Sequence, residues 1–312
     1  MLSMKDLTQR LFKKNNFFRN GANRELKELV DTFKSFQTDV RNILSIENIT
    51  TTIFSKRVFR DFYEEERYKR LQIQILQFIY ENLRDNRIDP QKEKFLLDFL
   101  LYAVQKPGIS GTRKNLLITF NYDLLLEDFL KKNQSELNLW IDYGVKLRYY
   151  LSYPERKKDS DLVPFQLLKL HGSFNWFQAK GSSDANINSI YQVDPDDENF
   201  FIHQNDVPVF IPMIHAKELF LKGTLYNTLW VKAAYYLEQA QELYFIGYGF
   251  PATDINNLLF FGKYRDKIKK IVVYYEEDRE NEIMRLQQLF GPDRVISCDA
   301  ITFLRNNYLS FS

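Results

Sequence analysis

Cysteine and histidine are both scarce in this chain, which has one Cys and three His among 312 residues. The single cysteine, Cys298, excludes a disulfide bond within the chain and a structural zinc site built from cysteines. We therefore expect no metal ion, and a reducing compartment such as the cytoplasm fits this composition. Because histidine is rare, His171 is conspicuous: it follows the apolar run LLKL (167–170), which is typical of a buried strand.

Long hydrophobic runs and an excess of one charge are also absent. No stretch reaches 18 apolar residues, and the N-terminal segment has no apolar core of signal-peptide length. No membrane span is therefore expected. The 43 basic residues oppose 41 acidic ones, for a net charge of +2. Nucleic-acid-binding proteins usually carry a strong basic excess or a concentrated basic face, so nucleic-acid binding is not indicated.

The residues that are abundant predict a folded chain with a helical N-terminal portion. Apolar residues make up 45% of the sequence and aromatic residues 16%, which is typical of a large buried core. Within residues 1–105, apolar side chains recur with helical spacing, as at Leu26, Leu29 and Val30. The stretch QKPGISGTRKN (105–115) then has turn composition. It separates a helical portion, 1–105, from a second region, 106–312.

The second region alternates predicted strands with amphipathic helical patterns. The predicted strands are LLITF (116–120), LLKL (167–170), LYFIGYG (243–249), KIVVYY (270–275) and RVISCD (294–299). Such alternation predicts right-handed crossovers and an α/β fold with a doubly wound parallel sheet. The polar stretch 177–207 is interpreted as a surface excursion, and AITFLRNNYL (300–309) as a closing helix.

Polar residues follow the predicted strands, at the edge where open parallel sheets bind ligands. They are Asn121, Tyr122 and Asp123; His171, Gly172 and Ser173; Gly247, Tyr248, Gly249 and Asp254; and Glu276 and Glu277. Each has a structural alternative, since Asn121 could occupy a left-handed turn, Asp254 could cap a helix, and His171 could be a packed ring. Together, four polar strand ends in one sheet favour a binding site.

Three motifs resemble those of a known family. TFNYD (119–123), KLHGSFNW (169–176) and FIGYGFPATD (245–254) are similar, in this order, to motifs of sirtuin-like (SIR2-like) domains, in particular the bacterial branch found in antiphage defence proteins. The resemblance covers roughly residues 115–310. It implies a Rossmann-like fold that binds NAD, in a family whose members deacylate lysine with NAD or hydrolyse NAD.

The resemblance also implies roles for individual residues. Asn121 and His171 match the family's usual catalytic pair, and Asp123 matches an acid of the nicotinamide–ribose pocket. The GYG turn matches a loop on the adenosine side, although Gly249 stands where many relatives have serine. The residues expected to bind NAD are Thr119, Phe120, Asp123, Gly172, Ser173, Gly247, Tyr248, Gly249, Asp254 and Glu276.

Two departures from the family pattern shape the expected function. Deacylase sirtuins usually carry a four-cysteine zinc module, which one cysteine cannot form. This favours an NAD glycohydrolase, an effector of bacterial defence for which NAD is the substrate. The family's glycine-rich phosphate loop, however, has no match in residues 1–105. Either the chain begins after that loop, or it is a catalytically impaired subunit that acts by protein interaction or nucleotide sensing. A homo-oligomer or a partner protein is expected.

The missing phosphate loop gives a direct prediction for NAD binding. The diphosphate of NAD carries two negative charges that need several backbone amides or a basic side chain. We expect weak or undetectable NAD affinity for the 312-residue chain, together with self-association through an unpaired strand edge. Calorimetric titration of NAD into the purified chain measures this. Micromolar binding to a monomer would show that another segment cradles the phosphates.

Overall fold

The computed structural model describes residues 4–13, 18, 23–35, 45–54, 65–83, 90–105, 116–149, 163–178, 186–193, 206–211, 223–250, 254–274 and 280–297. Most of the predicted turn at 105–115, the residue Cys298 and the predicted closing helix at 300–309 lie outside these ranges.

Helices fill the N-terminal portion, as predicted. They are α1 (Met4–Phe12), α2 (Arg24–Ser35), α3 (Ile46–Phe54), α4 (Glu65–Leu83) and α5 (Pro90–Gln105). The apolar faces of α1 to α4 form one core, which also includes Tyr122, Phe174 and Phe210 from the second region. The four helices therefore pack directly on the sheet-containing part of the chain. In the described parts of the chain, no helix is long and apolar enough to cross a membrane.

In the second region, strands alternate with helices from residue 224 onward, whereas β2 to β7 follow one another without an α-helix between them in the described residues. The strands are β1 (Leu116–Thr119), β2 (Leu139–Asp142), β3 (Arg148–Tyr149), β4 (Val163–Lys169), β5 (Gly172–Gln178), β6 (Ile190–Gln192), β7 (Val207–Phe210), β8 (Glu242–Ile246), β9 (Lys270–Tyr274) and β10 (Val295–Ser297). The helices are α6 (Leu125–Lys132), α7 (Gln134–Leu137), α8 (Thr224–Gln239), α9 (Ile255–Gly262) and α10 (Glu280–Phe290). The predicted mixed α/β fold with parallel strands is confirmed.

Among the described residues, the parallel strands form two three-stranded sheets that share no hydrogen-bonded strand pair. Their orders are β1-β4-β2 and β10-β9-β8, and all their pairings are parallel. Just beyond the sheets, the rings of Phe120 and Tyr248 stack with centroids 4.7 Å apart. The carboxyl ends of β1 and β8 therefore lie next to each other, although the two strands are not hydrogen-bonded neighbours.

Helices cover both faces of the parallel sheets. On one face, Phe99 of α5 packs with Phe165 of β4 and Val272 of β9. On the other face, Ile271 and Val273 of β9 join a core built with α8, α9 and α10. Because successive side chains in a strand point to opposite faces, β9 is buried on both sides. This arrangement explains why Ile271, Val272 and Val273 form a continuous apolar run.

A third sheet contradicts part of the sequence interpretation. Strands β3, β6, β5 and β7 form a mixed sheet in that order, and β5 is buried along its whole length. The stretch 177–207, interpreted as a surface excursion, contributes β6 and the buried residues Ile190 and Val193. The two-residue β3 and the three-residue β6 are too short to show a period, so the pairing of β6 with β5 and of β3 with β6 defines them rather than a sequence pattern.

Candidate functional site

Two chain segments lie side by side at the carboxyl ends of β1 and β4. We call them the asparagine segment (residues 119–123) and the histidine segment (residues 169–174). Four hydrogen bonds join them: from Leu170 N–H to the Thr119 carbonyl (3.1 Å), from His171 Nδ1 to the Phe120 carbonyl (3.1 Å), from Phe174 N–H to the Tyr122 carbonyl (2.8 Å), and from the Lys169 ammonium to the Asp123 carbonyl. The carbonyl groups on both sides of Asn121 are therefore anchored.

Asn121 occupies the exposed tip of the asparagine segment. Its neighbours Tyr122 and Asp123 are buried, whereas Asn121 itself is exposed. Its backbone N–H donates to Thr119 Oγ1 at 3.1 Å. Among the described residues other than glycine, positive φ values occur only at Asn138 and Phe250, so Asn121 is not a left-handed turn residue. An anchored backbone thus presents the Asn121 carboxamide at the surface.

His171 is both packed and chemically oriented. It is only 3% exposed, and its ring lies against the Phe120 ring at 5.2 Å. Nδ1 lies 3.1 Å from the Phe120 carbonyl oxygen. A carbonyl oxygen can only accept, so Nδ1 carries the proton in the neutral ring and Nε2 is the basic nitrogen. The backbone of the asparagine segment therefore fixes the tautomer of His171.

Buried charges lie beneath the asparagine segment. The Lys169 ammonium donates to Glu127 Oε1 at 2.6 Å, and both side chains are almost fully buried. Asp123 Oδ1 accepts a hydrogen bond from Leu125 N–H at 3.3 Å, at the start of α6. Burial raises the pKa of the Asp123 carboxyl above its ordinary value, and the nearby Lys169 ammonium opposes this shift. The segment thus rests on a network that links β4 to α6.

A second polar cluster orients Tyr248 against the asparagine segment. The Tyr248 hydroxyl donates to Asp254 Oδ2 at 2.8 Å and accepts from Asn257 Nδ2 at 2.7 Å. Asp254 is 5% and Asn257 3% exposed. Asp254 stands at the N-terminus of α9 but makes no side-chain capping bond there. Its carboxylate therefore orients Tyr248, whose ring stacks on Phe120, instead of capping the helix.

The glycines of the predicted site differ in their surroundings. Gly172 has a φ of +81°, and a Cβ there would lie 2.2 Å from the Val209 carbonyl oxygen of β7. Gly247 has a φ of +65° with open space where a Cβ would be. Gly172 is thus needed for a close backbone approach, whereas Gly247 is needed only for its conformation.

A comparison with models of protein families identifies the family to which this chain belongs. A model for the SIR2-like domain matches residues 115–290, which is more than half of the chain. The chain belongs to the SIR2-like family. SIR2-like domains are Rossmann-like and bind NAD, so an NAD-related function follows from this membership. A search of curated proteins finds no match to the chain.

The SIR2-like match contains the complete asparagine and histidine segments and the Tyr248 cluster. It begins one residue before β1 and ends at the last residue of α10. The helices α1 to α5 precede it. The boundary predicted at residue 105 stays a prediction.

Several predicted NAD-binding residues of this SIR2-like domain have contacts within the protein. Ser173 is fully buried, and its hydroxyl donates to Asn175 Oδ1 at 2.8 Å. Gly172 packs against β7, as described above. Glu276 lies outside the described residues. The structure brings Thr119, Phe120, Asn121, Asp123, His171, Tyr248 and Asp254 together through the contacts given above; contact of any of them with NAD stays a prediction.

Sequence reasoning missed Lys169, Glu127 and Asn257 as parts of this region. A signal for Lys169 exists, because a lysine inside an apolar strand run must find a partner when it is buried. Glu127 and Asn257 carry no such signal, since each lies in a helix where a polar residue is ordinary.

A small apolar surface depression lies elsewhere, between α5 and the strands β8 and β9. Its lining residues are Phe95, Phe99, Tyr244, Phe245, Ile246, Val272 and Tyr274. None of them is a predicted site residue. Because its exposed lining is apolar, it does not suit the charged diphosphate of NAD.

Proposed function

We propose that this SIR2-like chain is an NAD glycohydrolase, which cleaves the bond between nicotinamide and ribose. The observation that carries the proposal is the pairing of an exposed Asn121 carboxamide with a histidine whose basic nitrogen is Nε2. The two groups belong to segments that are hydrogen-bonded to each other on both sides of Asn121. They supply an orienting amide and a base in one place.

The proposed reaction needs both groups. Breaking the nicotinamide–ribose bond leaves positive charge on the ribose, and a water molecule then forms the new bond to that carbon. The Asn121 carboxamide orients the water or a ribose hydroxyl without adding charge. His171 Nε2 accepts the proton, as imidazole does near neutral pH. The products are ADP-ribose, nicotinamide and one proton.

The position of the Tyr248 cluster supports a proposal for where the adenosine side of NAD binds. Tyr248, held by Asp254 and Asn257, stands beside the exposed Gly247 at the end of β8. We propose that this turn contacts the adenosine side of NAD, while Thr119, Phe120 and Asp123 shape the nicotinamide–ribose side. Phe120 contacts both His171 and Tyr248 and would therefore lie between the adenosine side and the nicotinamide–ribose side of bound NAD.

Nicotinamide release tests the proposed activity. The 312-residue chain is incubated with millimolar NAD, because weak affinity is expected, and nicotinamide is measured by chromatography. We expect release that rises with protein concentration and is abolished in Asn121→Ala. If the folded chain releases no nicotinamide at any NAD concentration or oligomeric state, the glycohydrolase proposal is wrong.

We further propose that the activity serves bacterial antiphage defence. The support is the combination of TFNYD, KLHGSFNW and FIGYGFPATD in one chain. Depletion of NAD would halt an infected cell before phage release. Cellular NAD that stays constant during infection of bacteria expressing the chain would contradict this role.

A second function, a subunit that binds partners or senses nucleotides without turnover, is favoured by one observation. His171 is only 3% exposed, so little of its ring is open to a substrate. Within the described residues, β1 pairs only with β4 and β8 only with β9. Each strand thus has one edge that no described strand occupies, where a strand of a second copy or of a partner protein can pair. Saturable binding of NAD or ADP-ribose without nicotinamide release would favour this alternative.

A further inference from the structure

Lys169 is a fully buried lysine at the end of β4, directly before the turn that carries His171. Its relative exposure is 0%, and it belongs to the largest side chains that are completely buried among the described residues. A buried ammonium is costly unless charged and polar partners surround it. Its partners here are Glu127 Oε1 at 2.6 Å and the backbone carbonyl of Asp123.

The acceptor of this ion pair is itself incompletely satisfied. Glu127 Oε1 also accepts from the Tyr143 hydroxyl at 3.2 Å, while Glu127 Oε2 is buried and has no hydrogen-bond partner among the described residues. Replacing a buried ion pair with apolar side chains is often neutral or stabilising. Stability alone is thus a weak reason for this pair.

The bond from Lys169 to the Asp123 carbonyl gives a better reason. The other bonds between the two segments come from backbone N–H groups and from the His171 ring, and they hold the carbonyls of Thr119, Phe120 and Tyr122. Lys169 holds the last carbonyl of the asparagine segment and, through Glu127, the first turns of α6. A hydrophobic side chain of the same size could make neither contact.

We propose that Lys169 is a positioning residue: its ammonium, held by Glu127, fixes the asparagine segment so that the Asn121 carboxamide and the Asp123 carboxyl keep one orientation for reaction. This role rests on the proposed glycohydrolase function. Lys169 itself does not touch the substrate, since it is buried beneath the segment. Misplacing a reacting group by about 1 Å can cost about 10²-fold in rate.

The test uses Lys169→Met/Glu127→Gln, which removes the ammonium without leaving a buried unpaired carboxylate. Methionine keeps most of the volume of lysine, and glutamine still accepts from the Tyr143 hydroxyl. We expect kcat for nicotinamide release to fall about 10–100-fold while KM for NAD changes less than about 3-fold. Lys132→Met, which breaks the exposed ion pair with Glu93 on the surface of α6, is the matched control with unchanged kinetics.

Two further readouts separate positioning from folding and from the proposed function. Glu127→Gln alone keeps the bond to the Asp123 carbonyl, so its kcat should fall less than that of the double variant. Hydrogen exchange of the backbone amides at 119–125 should accelerate in the double variant and stay unchanged in Lys132→Met. If the parent protein releases no nicotinamide, the glycohydrolase proposal fails. Hydrogen exchange then still tests whether Lys169 and Glu127 fix the asparagine segment. A folded double variant with parental kcat and parental exchange would overturn the role of Lys169.

Discussion

His171→Ala is expected to lower nicotinamide release by about 10²–10⁴-fold, the usual effect of losing a general base. The Phe120 carbonyl fixes the proton on Nδ1, so Nε2 is the group that accepts the proton from water or ribose. Alanine leaves that carbonyl without its donor, and we expect a loss of about 1–3 kcal/mol in the free energy of unfolding. Rates are therefore measured at a temperature at which each variant is folded.

Asn121→Ala should give a comparable loss of rate with little loss of stability, because Asn121 is exposed. Asn227→Ala, at an exposed position in α8, is the matched control and should keep both rate and stability. Because His171 is buried and Asn121 is exposed, comparing the two variants separates the loss of a reacting group from a loss of stability. Activity within about threefold of the parent in either site variant would remove that residue from the mechanism.

The fold was predictable where burial leaves a pattern in neighbouring residues. Within KIVVYY, the three central residues are all apolar because β9 packs on α5 with Val272 and on α9 and α10 with Ile271 and Val273. The mixed sheet was not predictable. Its strands β3 and β6 have two and three residues and pair across more than 40 positions of the chain. Such strands depend on partners that a local pattern cannot reveal.

The candidate site also contains some residues that the sequence predicts and others that it does not. Asn121 and His171 could be found because each directly follows a recognisable strand. Lys169 and Glu127, 42 residues apart, gain their role from a contact between β4 and α6. Likewise, Asp254 reads as a helix cap until the Tyr248 hydroxyl is seen to donate to it. Residues that support a site are harder to predict than residues that face a ligand.

Gly172→Ala is expected to lower the free energy of unfolding by about 3 kcal/mol or more, because two costs combine. The φ of +81° disfavours any L side chain by about 1–2 kcal/mol. In addition, a Cβ at this position would lie 2.2 Å from the Val209 carbonyl oxygen and 2.7 Å from Phe210 Cα. Both are backbone atoms of β7, so no side chain can rotate away to relieve the contact.

The matched control is Gly291→Ala, since Gly291 has a φ of +99° and open space where a Cβ would be. It should lose only the conformational part, about 1–2 kcal/mol, in urea-induced unfolding. Equal losses in the two variants would show that β7 moves away from the added methyl group at no cost in free energy.

The Gly172→Ala substitution also affects the candidate site, because Ile211 N–H donates to the His171 carbonyl at 2.7 Å. Displacing β7 would therefore move the backbone of His171, and the surviving folded Gly172→Ala protein should lose nicotinamide release as well as stability.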